Sequence, residues 1–221
     1  MGTITAQSII DDGWELMNDT GVRWIASSCL KALSSGQREI VMYLPSSYTL
    51  AAIPTLVAGS RQTLAGLSLT TGLQFLDMTR NYASNGTTVG PAITRTTRDW
   101  LDDNRPGWHS ETGTATIQHY CTDPRDPKAC YVWPPSAGST KAEVIYSAAP
   151  ASIATLETAI TLDDIYANPL MYFLLFRMSL KNKPGGMNPA NAQMWYSLML
   201  QSLGVKDRRT IMNETVPKAR A

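Results

Sequence analysis

The side chains of this 221-residue chain best suited to hold a metal or move a proton are His109, His119, Asp123 and Asp126. An imidazole titrates near neutrality, and a carboxylate beside it can orient it or share a cation with it. Their spacing does not follow any zinc pattern, and neither HExxH nor CxxC occurs. His119 reads better as a packed strand residue and Asp123 as a turn cap. The carboxylate pairs Asp11–Asp12, Asp102–Asp103 and Asp163–Asp164 could serve a glycosidase only if two acids converged across a substrate. Each pair lies at the start or end of a helical pattern, where solvated or capping acids are ordinary. No GxSxG elbow is present, and Cys29, Cys121 and Cys130 have no activating local context. The sequence therefore predicts no catalytic, metal or cofactor site.

A further set is electrostatic. Arg61, Arg95, Arg98 and Arg105 are spread through the middle of the chain and could line a channel for a polyanion, because phosphate contacts need only sequence-blind basic groups. Surface pairing with Asp99, Asp102 and Asp103 is their simpler use. The net charge of +1 and pI near 7.7 give a weak overall field, which argues against strong nonspecific nucleic-acid binding by a lone subunit. Six Trp and ten Met suit cores and interfaces alike; Trp14 and Trp195 fall at core spacing, and Trp24, Trp100, Trp108 and Trp133 near element ends. An odd number of cysteines predicts free thiols in a reducing compartment, although a Cys121–Cys130 link across a hairpin is feasible in spacing. Met1–Thr5 shows no leader pattern, Gly2 lacks a myristoylation context, and the longest apolar run, Leu170–Leu175, is too short to span a bilayer, so no membrane anchor is expected.

The elements that must position these groups fall into three blocks. Ala6, Ile9, Ile10, Gly13, Trp14 and Met17 share one helical face, with Thr5 as cap and Asn18-Asp19-Thr20-Gly21 as stop. A second helix starts near Ser27 or Ser28, carries Leu30, Leu33, Gln37, Ile40, Val41 and Leu44 on one face, and ends at Pro45. Gln37 in that stripe requires a buried partner or a neighbouring subunit. The middle is Thr-, Ser-, Gly- and Pro-rich with short apolar runs. Strands are predicted at Leu73–Tyr82, at Thr114–Cys121 with Ala115, Ile117, His119 and Cys121 on one face, and at Lys141–Ala148. Asn85-Gly86 marks a turn, and Thr97–Asp103 a short helix. Residues Ile117–Pro135 form the densest pattern: two runs flank Asp123-Pro124-Arg125-Asp126-Pro127, a stiff hairpin tip, and Pro134-Pro135 ends the second run. Asn168-Pro169 and Asn188-Pro189 each place a cap before Pro at a helix start; these helices bury Leu170, Leu174, Leu175 and Met178, then Ala192, Trp195, Met199 and Leu203, and stop at Gly204. The expected fold is α+β: a helical bundle from the N- and C-terminal helix pairs (1–45 and 161–205), an inserted antiparallel β-rich region (46–160) and a basic tail (206–221).

Several blocks, in this order, resemble the head-to-tail adaptor (connector) proteins of tailed bacteriophages: Gly21-Val22-Arg23-Trp24; Ser35-Gly36-Gln37-Arg38-Glu39-Ile40-Val41; Ala58-Gly59-Ser60-Arg61-Gln62-Thr63-Leu64; Arg98-Asp99-Trp100-Leu101; Pro106-Gly107-Trp108-His109; the hairpin; Tyr146-Ser147-Ala148-Ala149-Pro150; and Tyr172 with Arg177-Met178-Ser179-Leu180-Lys181. Together they cover about residues 5–205. Ala129-Cys130 departs where the family tends to carry a bulky aromatic, and Ala26-Ser27-Ser28 where it has a better capping start. The resemblance implies a non-enzymatic homo-oligomeric ring, usually a dodecamer, in the virion neck. It would sit beneath the portal protein, extend the DNA channel and meet the tail nozzle or other tail proteins, after assembly in the host cytoplasm. On this reading Lys206, Arg208, Arg209, Ile211, Met212 and Val216 of the tail bind the portal, and Arg95, Arg98 and Arg105 line the channel around passing DNA. The competing expectations are a virion-associated cell-wall hydrolase built on His119 and the acids, and another neck or tail-tube protein with a β-rich core.

Overall fold

The computed structural model describes residues 2–181 and 189–204. Among these residues the fold is α+β, with five α-helices and two four-stranded sheets. The described residues divide into two compact units, 2–47 with 150–181 and 189–204, and 48–149.

In the first unit, α1 (Ala6–Leu16) is capped by the Thr5 hydroxyl, which accepts from the Ser8 amide at 3.4 Å. Its buried face is Ala6, Ile9, Ile10 and Gly13. Gly21 beyond it has φ +78, and a Cβ there would lie 3.0 Å from the Trp14 ring, so both backbone and packing favour glycine. α2 (Ala26–Tyr43) starts at Ala26 with no side-chain cap, a residue or two before the expected serines. The connection before it is held by the Asp19 carboxylate, which accepts from the Arg23 and Trp24 amides, and by the Trp14 indole, which donates to the Trp24 carbonyl at 2.8 Å.

α4 (Ala167–Leu180) is apolar nearly all round because it meets α1, α2 and α5. Gly36 lets α2 approach it: a Cβ at Gly36 would fall 2.8 Å from the Phe173 ring. Asn168 does not cap α4. A 3₁₀ turn (Asp164–Tyr166), capped by Asp163, leads into the helix, and Pro169 sits within the first turn, where its missing N–H has no intrahelical acceptor to lose. α5 (Pro189–Ser202) starts at Pro189 and ends near Gly204, at φ +67; Asn188 lies outside the described residues. It packs on α4 through the Tyr172–Trp195 and Phe176–Tyr196 ring pairs.

Gln37 is fully buried with partners inside its own chain. Its carbonyl accepts from the Thr161 amide at 2.7 Å and its amide donates to the Ala151 carbonyl at 3.4 Å. Residues 150–160, read from sequence with the β-rich stretch, hydrogen-bond to this unit: the Ile153 amide to Ser34, the Thr158 carbonyl from Ala6, and Ile160 to Ile4.

The second unit holds the strands. One sheet runs β1 (Thr49–Ala52), β8 (Lys141–Ala148), β3 (Gly72–Tyr82), β4 (Val89–Ala92), all antiparallel. The other runs β2 (Gly59–Thr63), β7 (Ala129–Ser136), β6 (His119–Thr122), β5 (Thr94–Arg95), with β5 parallel to β6. A core of Phe75, Met78, Tyr120, Cys130, Val132, Val144 and Tyr146 fills the space between them. Asn81 of β3 reaches across: its amide donates to the Ile117 carbonyl and its carbonyl accepts from the Ile117 amide.

A second cluster, Leu101, Trp108, Cys121 and Trp133, covers the other face of β6–β7. It is built from α3 (Arg98–Asn104), capped by Thr97, and the 3₁₀ turn Trp108–Ser110. This second layer corrects three expectations. The strand begins at His119 rather than Thr114, Ala115 is exposed, and Tyr120 and Cys121 are both buried because each face of β6 has its own cover. Cys121 and Cys130 lie in these two separate clusters, so the feasible hairpin link is not formed and all three thiols are free. β7 also runs through Pro134-Pro135 to Ser136. Its pairing with β2 jumps from Tyr131 to Ser136, so no ladder amide is needed at either proline.

Candidate functional site

The four side chains weighed as an acid–base set each have separate structural partners. The His109 Nδ1 contacts Ser60 Oγ at 2.9 Å and its ring stacks on Trp108 at 3.6 Å. Burial first, and the charge of Arg98 second, hold this imidazole below its ordinary pKa. His119 Nδ1 contacts Thr94 Oγ1 at 2.5 Å, and its ring stacks on Trp133. Asp123 caps the hairpin tip by accepting from the Arg125 amide at 2.9 Å, and Asp126 is paired with Arg61 at 2.7 Å. Asp102 accepts from the Trp108 indole, Asp163 caps the turn before α4, and Asp164 holds the amides of Thr3 and Ile4. Asp11 and Asp12 lie on the exposed face of α1. No group of three or more metal-ligating side chains occurs among the described residues. Burial pushes the Cys121 thiol up to about 11 and also raises Cys29 and Cys130, which leaves these sulfurs protonated and poorly nucleophilic.

What the fold does assemble is a basic cleft. The parallel pairing of β5 with β6 places Arg95 beside Tyr120, the start of α3 supplies Thr97 and Arg98, and the hairpin tip adds Asp123 and Arg125. These segments surround a cleft of about 530 Å³ with Tyr131 and Cys121 on its wall. Arg98 is fixed at its rim by Asp102 at 3.6 Å and Asp123 at 3.8 Å, and its guanidinium lies 5.6 Å from the centre of the Tyr131 ring. The pair with Asp102 is solvent-exposed and that with Asp123 partly so, and such pairs contribute little to stability, so they orient the arginine more than they hold the fold. On the core face of β6, the Tyr120 hydroxyl donates to Asp77 at 2.5 Å, and desolvation with that carboxylate raises its pKa well above the ordinary phenol value.

Arg105 does not line this cleft; its guanidinium stacks over Trp133 at 5.2 Å, and that indole donates to Glu111. Arg125 and Tyr131 join the cleft without having stood out in the sequence. The tip motif gave Arg125 a turn position, but only the β5–β6 pairing, invisible to local periodicity, brings it near Arg95. Lys206, Arg208, Arg209, Ile211, Met212 and Val216 lie outside the described residues. The cleft offers planar guanidinium donors and no nucleophile–base pair among its lining residues. No helix among the described residues is long and apolar enough to cross a membrane.

Residues 4–219 match the family model described as SU10 adaptor protein. No curated protein matches the chain.

Proposed function

The chain belongs to the SU10 adaptor protein family, a phage head-to-tail adaptor family, and from that membership we propose that it is a structural part of the virion neck with no chemistry of its own. The carrying observation is the family match, which runs over nearly the whole length of the chain rather than one motif.

On this reading the copies form a closed ring, a dodecamer, beneath the portal protein. The ring extends the DNA channel and receives the tail nozzle or other tail proteins. Such rings use heterologous contacts that close by rotation. The helices from the two ends of the chain act as one bundle, and the doubly covered β-sheet is a stiff inserted spacer. The basic tail with Lys206, Arg208, Arg209, Ile211, Met212 and Val216 docks on the portal. Arg95 and Arg98, with Arg125 beside them in the cleft, touch passing DNA through its phosphates without reading sequence.

Purified portal mixed with the full chain, and with a chain ended after residue 205, tests the reading. Full-length protein is expected to co-sediment with portal and the shortened chain to lose most of that binding. Equal binding of the two would remove the role given to the tail, and no binding of either would overturn the adaptor reading.

A further inference from the structure

The N-terminal segment carries its charge on one side only. Residues 1–22 include Asp11, Asp12, Glu15 and Asp19 and no basic side chain. Asp11, Asp12 and Glu15 are exposed on α1, on the side away from its buried Ala6, Ile9, Ile10 and Gly13. Within the helix this arrangement is unfavourable: Asp11 and Glu15 are like charges one turn apart, and Glu15 lies in the last turn at the negative end of the helix dipole. Next to them Leu16 is 57% exposed.

An opposite surface exists in the same unit. α2 and α4 flank an open groove of about 460 Å³ whose apolar lining includes Trp24, Leu174 and Met178 and whose charged residues are Lys31, Arg177 and Lys181. No acid lines it. Lys31 and Arg177 are exposed, and neither they nor Asp12 and Glu15 form an ion pair among the described residues. Lys181 donates to the Arg23 carbonyl and lies over the Trp24 ring at 4.8 Å, which holds its charge at the groove mouth. The acids of α1 point away from α4, and α4 forms one wall of the groove, so one copy does not bring the two surfaces together.

We propose that the α2–α4 groove of one copy receives the acidic edge of α1 from the next copy, with Leu16 entering the apolar floor and Asp12 and Glu15 meeting Lys31, Arg177 and Lys181. The two surfaces differ, so the contact is heterologous and repeats around a ring. Opposite potentials would set the register and speed the encounter, and the buried apolar contact would hold it. This rests on the ring reading above and names the surfaces that close it.

Paired charge reversals of the full-length chain test it. D12K with E15K reverses the α1 edge, and K31E with R177E reverses the groove. All four positions are exposed, so each variant is expected to keep the wild-type circular dichroism spectrum and melting temperature. Sedimentation should show self-association weakened about tenfold or more for each variant alone, because like charges now face each other. An equal mixture of the two should recover wild-type assembly, because each altered surface then finds its complement. As a second readout, chains carrying E15C mixed with chains carrying R177C should give an intermolecular disulfide under oxidising conditions, the native thiols being buried.

Self-association of either reversed variant at wild-type strength would overturn the proposal, and so would a mixture that fails to recover. A wild-type chain that neither self-associates nor cross-links would also overturn it, while portal binding would still stand for the adaptor reading. If K31E/R177E loses retention on DNA with self-association unchanged, the groove serves nucleic acid and the proposal fails.

Discussion

The two units treat charge in opposite ways. In the β-rich unit four of the six arginines are held within the subunit, Arg61 to Asp126, Arg80 to Glu143, Arg98 to Asp102 and Asp123, and Arg105 over Trp133, and Arg95 and Arg125 line the cleft. In the helical unit Asp12, Glu15, Lys31 and Arg177 form no ion pair among the described residues. The hydrophobic layers differ as well. The β6–β7 hairpin is covered on both faces, by the opposite sheet and by the α3 layer, whereas α1 and α2 bury one stripe each and leave the other face open. A unit that satisfies most of its own groups suits a spacer, and a unit with open complementary faces suits assembly.

The largest expected effect tests the double cover. Trp108 is fully buried between α3 and β7, and Trp108→Ala should cost about 3–5 kcal/mol, the range for emptying a large aromatic site. Chemical denaturation followed by near-ultraviolet circular dichroism reads it. A loss below about 1 kcal/mol would mean the α3 layer is an ornament on a self-sufficient sandwich, since surface changes stay near or under that size.

A smaller loss is expected where the helical unit is most closely fitted. Gly36→Val would drive methyl groups into Phe173 and Leu170 and should cost about 1–3 kcal/mol through overpacking. Gln37→Leu removes the acceptor for the Thr161 and Leu162 amides and the donor to Ala151. It should cost about 1–3 kcal/mol, the penalty of buried polar groups left unpaired. A neutral Gln37→Leu would show that water reaches those amides and that the helical unit is less tightly closed there.

The smallest effect depends on pH. Hydrogen bonds from the Thr3 hydroxyl, then the Ile4 and Thr3 amides, hold the Asp164 carboxyl below the usual carboxylate range. Its folded pKa lies under its unfolded value of about 3.9, so the clamp stabilises above that pH and is lost as pH falls through the lowered folded pKa. Wild type should therefore melt above Asp164→Asn at neutral pH, and the gap should close in strong acid. A gap that persists at the acid end would show that the clamp does not act through the ionised carboxylate.

The helical elements were largely legible because α1 and α2 each bury a single stripe at helical spacing and α4, enclosed by three helices, is a continuous apolar run. Thr5 capping, the Gln37 position inside an apolar face and the stop at Gly204 all follow from local pattern. Asn168-Pro169 misled because a 3₁₀ turn capped by Asp163 precedes the helix, and proline is tolerated anywhere in a first turn. The β-rich unit was legible as strands and turns but not as layers. Alternation at period two reports a sheet with one wet face, and β6–β7 has none. The candidate surfaces were the least legible part. Arg95 and Arg125 are thirty residues apart in sequence and meet only through the β5–β6–β7 arrangement, and the Lys31–Arg177 groove joins opposite ends of the chain.

The central claim is tested most directly by a symmetry-resolved reconstruction of an intact virion containing this chain. The account predicts a closed ring of copies on the channel axis between portal and tail, with the tail of each copy on the portal. Finding the chain away from that axis, or as isolated copies without rotational symmetry, would contradict it.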